Sequence, residues 1–154
     1  MNLTELKNFI YEASKNTYAS EDSNIRVKQE DKSTTIVYEK DDWKYHDNYF
    51  GGEPYGGREV VFYQGKPTWM MVYYGWVVEG NDPNDVYGIL KKALRNTTLE
   101  EPYRGPRELV DNNSRYTNEL NGKVDSFYGE EKIYKGDTLI YVAKYIGGMV
   151  DKKA

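Results

Sequence analysis

Between Trp43 and Trp76 the chain carries eleven of its 23 aromatic residues, including all three tryptophans. Rings bury large areas with few rotatable bonds, so a stretch this rich in them must be built into a core, where each buried tyrosine hydroxyl needs a hydrogen-bond partner. Within it, residues 68–78 are apolar on both faces of an extended chain, Trp69, Met71 and Tyr73 alternating with Met70, Val72 and Tyr74. That pattern predicts a central strand covered on both sides. Tyrosine also reconciles a hydrophobic content of 38% with a mean hydropathy of −0.87, because the 16 tyrosines count as hydrophobic but score as polar.

The flanking sequence arranges itself around this segment. Leu3, Leu6, Ile10 and Ala13 share one helical face, and Asn2 followed by Glu5 resembles a capping box, which predicts a short first helix. Strands are predicted over 24–29 and 34–40, joined by the polar turn 30–33 and ended by Asp41-Asp42. A third strand has Trp43, Tyr45 and Tyr49 on one face and Lys44, His46 and Asn48 on the other. Residues 51–57 hold four glycines and Pro54 and read as a loop, followed by a hairpin of 58–63 and 68–78. Asp82 suits an N-cap and Pro83 the first helical position. Val86, Ile89, Leu90, Ala93 and Leu94 then keep helical spacing, with Lys91, Lys92 and Arg95 towards the end. Residues 96–114, with Pro102, Gly105 and Pro106, read as a long loop. Strands over 115–120, 124–134 and 138–146 follow, the first two joined at Asn121-Gly122, the strongest hairpin signal present. The expectation is a single α+β domain over 1–154, with a frayed tail at 150–154. Its architecture is a curved, mainly antiparallel sheet of about seven or eight strands packed by two helices.

Several function classes are disfavoured. A net charge of −4 and a pI of about 5.2 argue against direct nucleic-acid binding, which normally needs a basic excess. Without cysteine there are no disulfides, thiolate metal sites or thiol nucleophiles, and a single histidine, His46, removes multi-histidine metal sites. No metal and no cofactor is expected. The amino terminus lacks a secretory pattern and no apolar run approaches the ~20 residues that span a bilayer, so a cytoplasmic domain with no membrane partner is predicted. Gly52 to Gly57 has phosphate-loop spacing, but Arg58-Glu59 replaces the required Lys and Ser or Thr, and a strand follows instead of a helix. No catalytic set is assigned. Glu53, set among Phe50, Pro54 and Tyr55, and His46 are the two groups through which an enzyme would move a proton, one alternative reading.

One sheet face rarely hides so many rings, which leads to the main expectation of an aromatic-lined pocket for a small molecule. Tyr45, Tyr49, Tyr55, Trp69, Tyr73 and Trp76 would stack on the ligand, with Tyr103 nearby and Glu53, Arg58 and Arg104 as polar anchors. The other alternative is an interaction module whose exposed rings or strand edge meet a second copy or a regulatory protein.

The run Tyr49-Phe50-Gly51-Gly52-Glu53-Pro54-Tyr55-Gly56-Gly57-Arg58-Glu59-Val60-Val61-Phe62 resembles a bacterial family known as domain of unknown function 5680. Lys66-Pro67-Thr68-Trp69, Tyr73-Tyr74-Gly75 and Tyr103-Arg104-Gly105-Pro106 extend the likeness over most of the chain. Members of that family stand alone or behind a helix-turn-helix domain in regulators. The resemblance therefore implies a sensing or binding module, with no activity and no catalytic residues to carry over. A chain of 154 residues leaves no room for a separate DNA-binding domain, so a direct role in transcription is not expected.

Overall fold

The computed structural model describes residues 1–17, 20 and 23–153. Helix α1 spans Leu3–Asn16 and starts in a capping box, with the Asn2 side chain accepting from the Glu5 amide and the Glu5 carboxylate accepting from the Asn2 amide, each at 2.8 Å. These bonds satisfy two of the amides that a helix start leaves without partners. Its buried stripe is Leu6, Phe9, Ile10 and Ala13, whereas Leu3 is exposed and Phe9 takes its place in the core. Helix α2 spans Pro83–Arg95 behind the N-cap Asp82, whose side chain accepts from the Asn84 amide, and buries Val86, Leu90, Ala93 and Leu94.

The strands are β1 (Val27–Lys28), β2 (Thr34–Lys40), β3 (Trp43–Gly51), β4 (Tyr55–Tyr63), β5 (Lys66–Val77), β6 (Glu108–Asp111), β7 (Ser114–Lys123), β8 (Ser126–Lys135) and β9 (Thr138–Met149). They form one nine-stranded sheet in the order β1-β2-β3-β4-β5-β9-β8-β7-β6, and every neighbouring pair is antiparallel. The chain thus makes one meander outward to β5, crosses through α2 to the far edge, and meanders back until β9 docks beside β5. The α+β class and the two helices agree with expectation. The strand number exceeds seven or eight because one unexpected short edge strand, β6, adds itself to the flank. Residues 24 and 25 belong to a 3-10 turn instead of β1, and β6 lies within the stretch expected to be irregular.

Both helices pack on the same face. On β5 that face is Trp69, Met71, Tyr73, Gly75 and Val77; on β9 it is Tyr141, Ala143 and Tyr145. The α1 side chains pack with Tyr45, Val61, Trp69 and Phe127, and the α2 side chains with Val77, Tyr116, Ile133 and Tyr141.

Two turns differ from expectation for identifiable reasons. The glycine-rich segment is mostly strand, with the break confined to residues 52–54, because β3 and β4 pair Tyr49 with Gly57 and Phe50 with Gly56. A Cβ on Gly57 would stand 2.6 Å from the Tyr73 hydroxyl, the Tyr49 Cβ and the Asn48 carbonyl oxygen. Glycine is required there for close approach, and not for flexibility. The β7–β8 hairpin turns at Val124-Asp125 and not at Asn121-Gly122. Val124 is buried and its carbonyl accepts from the Trp69 indole at 2.9 Å, which holds the turn three residues later than local propensity favours.

Candidate functional site

A cavity of about 190 Å3 lies between α2 and the helix-bearing face of β3–β5. At ~30 Å3 per water it holds about six waters or one compact ligand. Ile36, Leu90 and Leu94 supply apolar wall, and Tyr49, Tyr55, Tyr73 and Tyr87 supply rings. Asp47, Glu59 and Arg104 bring charge into it, with Arg26 and Lys91 also on its lining.

Asp47 and Glu59 are direct cross-strand partners of β3 and β4, so their side chains stand next to each other on the helix-bearing face. Their exposures are 3% and 1%, and among the described residues neither forms a salt bridge. The Tyr73 hydroxyl donates to Asp47 Oδ1 at 2.6 Å. Burial pushes the Asp47 carboxyl up to about 6, against the lowering effects of the Tyr73 bond and of the Arg104 and Arg26 charges. Burial, reinforced by the Asp47 charge, pushes Glu59 up to about 8, opposed by the Arg104 charge. Both shifts favour the protonated form, so the pair resists carrying two negative charges.

Arg104 closes the floor from the other side. Its Nε donates to Glu131 Oε1 at 2.6 Å and one terminal nitrogen to the Tyr55 hydroxyl at 3.1 Å, and its guanidinium lies 5.3 Å from the centre of the Tyr73 ring. Glu131 Oε2 accepts in turn from the Tyr116 hydroxyl. The Tyr55 and Tyr141 hydroxyls bond to each other over Gly75, where a Cβ would stand 2.9 Å from both. The loop carrying Arg104 is pinned by the Gly105 amide donating to the Tyr116 hydroxyl and by Asn118 donating to the Gly105 carbonyl. The floor of the cavity is thus a hydrogen-bonded layer of tyrosines, acids and one arginine.

Four of the ten residues expected to bind ligand meet here: Tyr49, Tyr55, Tyr73 and Arg104. Tyr45 and Trp69 are on the same face but fully enclosed by the core, and Tyr103 is stacked on Phe127 with 4.4 Å between ring centres. Trp76 and Arg58 lie on the opposite face, one residue out of phase with Gly75 and Glu59. Glu53 sits at the rim and ties the loop down, accepting from the Val77 amide at 2.8 Å and from the Tyr87 hydroxyl. His46 is also on the opposite face, where burial and the charges of Arg58 and Lys44 lower its pKa. Those three residues line a wider hollow of about 630 Å3 whose other walls include Glu39, Asp41 and Asp42. Neither Glu53 nor His46 converges with the buried acids. Asp47, Glu59, Tyr87 and Glu131 do, or support those that do, and their positions were legible as charges or rings in the phase of buried residues.

Among the described residues no group of three or more His, Asp or Glu side chains is arranged to hold a metal ion, and no helix is long and apolar enough to cross a membrane. A family model described as a domain of unknown function (DUF5680) matches residues 47–150. No curated protein and no solved structure matches the chain.

Proposed function

Since the chain belongs to the DUF5680 family, whose description assigns no activity, we propose its function from the site: a cytoplasmic small-molecule-binding domain whose ligand occupies the cavity between α2 and β3–β5. The observation that carries the reading is the layout of that cavity. Apolar wall and tyrosine rings surround a few buried polar groups with fixed partners, the composition that holds and orients a small ligand. A volume of about 190 Å3 restricts the ligand to a compact molecule.

A fragment screen read by thermal unfolding tests it. A fragment present at 100 times its Kd stabilises by about 2.7 kcal/mol, which raises Tm by about 5–10 °C for a chain of this size. Leu94→Trp, which fills the cavity from α2, is expected to abolish that protection while the variant still unfolds cooperatively. Protection that survives Leu94→Trp, or bound density elsewhere in a co-crystal, would overturn the reading.

A second reading is favoured by the face without helices. Val72, Tyr74, Tyr128 and Ile146 are 45%, 53%, 59% and 62% exposed, and Val72, Ile146 and Tyr128 lie side by side across β5, β9 and β8. The strip crosses the middle of the nine-stranded sheet, with Lys44, His46 and Arg58 on one flank and Glu119 and Glu130 on the other. A twofold axis through it would lay the strip on itself, the geometry of an isologous dimer. Light scattering is expected to give twice the monomer mass, reverting to monomer in Ile146→Lys; a monomer across the micromolar range would remove this reading.

A further inference from the structure

We infer that the cavity selects a small organic cation, a compact alkylammonium whose N–H groups bond Asp47 and Glu59 while its carbons lie against Tyr49, Tyr73 and Leu90. The inference rests on the binding reading above and adds the charge of the ligand.

Its basis is the balance of buried charge. Three carboxyl groups, Asp47, Glu59 and Glu131, are enclosed on this face, against one fully buried cation, Arg104. The Arg104 Nε is committed to Glu131 Oε1, and that pair is enclosed on both sides. Asp47 and Glu59 are left adjacent, both lining the cavity, without a salt bridge among the described residues. Arg26 and Lys91 also line it; Arg26 is half-buried and Lys91 exposed, so solvent screens their charge more than that of the enclosed acids. An enclosed carboxylate without a paired cation is costly, and a bound ammonium supplies that cation with donors for the oxygens. The rings favour the same sign of charge. The faces of aromatic rings attract cations, and Arg104 already uses the Tyr73 face in this way. An anionic ligand would instead meet two acids at hydrogen-bonding range.

A bound cation favours the ionised form of both carboxyls, so a proton that burial retains on the empty pair is expected to be released on binding. Charge, fit and proton release can therefore be read together by titrating the protein with n-butylammonium chloride, 1-butanol and sodium butyrate. Calorimetry is run at pH 7 in two buffers of different ionisation enthalpy. The expected result is binding of butylammonium at least tenfold tighter than of butanol, no detectable butyrate binding, and release of between a half and one proton. Glu59→Gln is expected to weaken butylammonium at least tenfold and to remove the proton release, while weakening butanol far less. Asp47→Asn is the second variant, weakening butylammonium without abolishing butanol. Equal binding of butylammonium and butanol, or tighter binding of butyrate, overturns the charge assignment and leaves the cavity reading standing. Binding by none of the three probes at millimolar concentration also overturns the cation assignment; the fragment screen with Leu94→Trp then decides the cavity itself.

Discussion

Arg104→Met is expected to destabilise the protein by about 3–5 kcal/mol, the range for removing one partner of a buried ion pair. Arg104 and Glu131 have side-chain exposures of 5% and 0%, so nothing from solvent replaces the lost guanidinium. The substitution keeps most of the apolar volume of the stem. It removes the 2.6 Å bond to Glu131, the bond to the Tyr55 hydroxyl and the cation over the Tyr73 ring. Glu131 keeps only its bond from Tyr116 and is left as an isolated buried carboxylate. Adding Glu131→Gln removes the uncompensated charge but retains an acceptor for Tyr116, and is expected to recover more than half of the loss. Denaturant unfolding of the single and double variants at pH 7 reads both outcomes. A single variant within 1 kcal/mol of the parent would mean the pair is not buried as described.

Raising the pH from 5 to 9 is expected to destabilise the parent protein by on the order of a few kcal/mol, and Glu59→Gln to remove most of that slope. The sign follows from the direction of the shift. Burial and the neighbouring Asp47 raise Glu59 from 4.5 to about 8, so the folded state holds a proton that the unfolded chain has released. Stability from this group is fully present below about pH 4.5 and is lost as the pH rises through about 8. Asp47, raised from 3.8 to about 6, acts in the same sense over a lower window. Exposed carboxylates oppose this trend only weakly; Glu12 and Glu130, whose pKa is lowered by lysine partners, lose their stabilisation at acid pH instead. Glutamine at 59 keeps the shape without the ionisation, so the variant should equal or exceed the parent at pH 8–9. Chemical denaturation at five pH values checks this, and a parent stability that rises from pH 5 to 9 would contradict it.

Much of the fold is legible in residue order alone, since α2 carries its cap, its proline and its apolar stripe in one short stretch, and β5 is marked by its two apolar faces. The site is legible in part. Asp47 falls in phase with Tyr45 and Tyr49, and Glu131 in phase with Phe127 and Ile133, so each is a charge at a position that alternation assigns to the buried side. What residue order does not contain is the partner. Arg104 meets Glu131, 27 positions on, only because β9 inserts beside β5 and brings β8 near the 96–107 loop. Trp76 illustrates the opposite limit: its ring is as prominent in the sequence as that of Trp69, yet an odd separation of seven positions along the strand puts the two on opposite faces. Density of rings locates the region, while strand phase decides which rings reach the cavity.

The place of β9 in the sheet also sets a hazard during synthesis. Residues 69–77, the most apolar stretch of the chain, hydrogen-bond on one side to β4 and on the other to residues 141–149. Until those late residues leave the ribosome, β5 is an open edge, with its amides and carbonyls bare along nine positions. The intervening meander of β6–β8 has no sheet to join before β9 closes the gap. A nascent or truncated chain ending before Thr138 thus presents a long, aromatic edge that other chains can pair with.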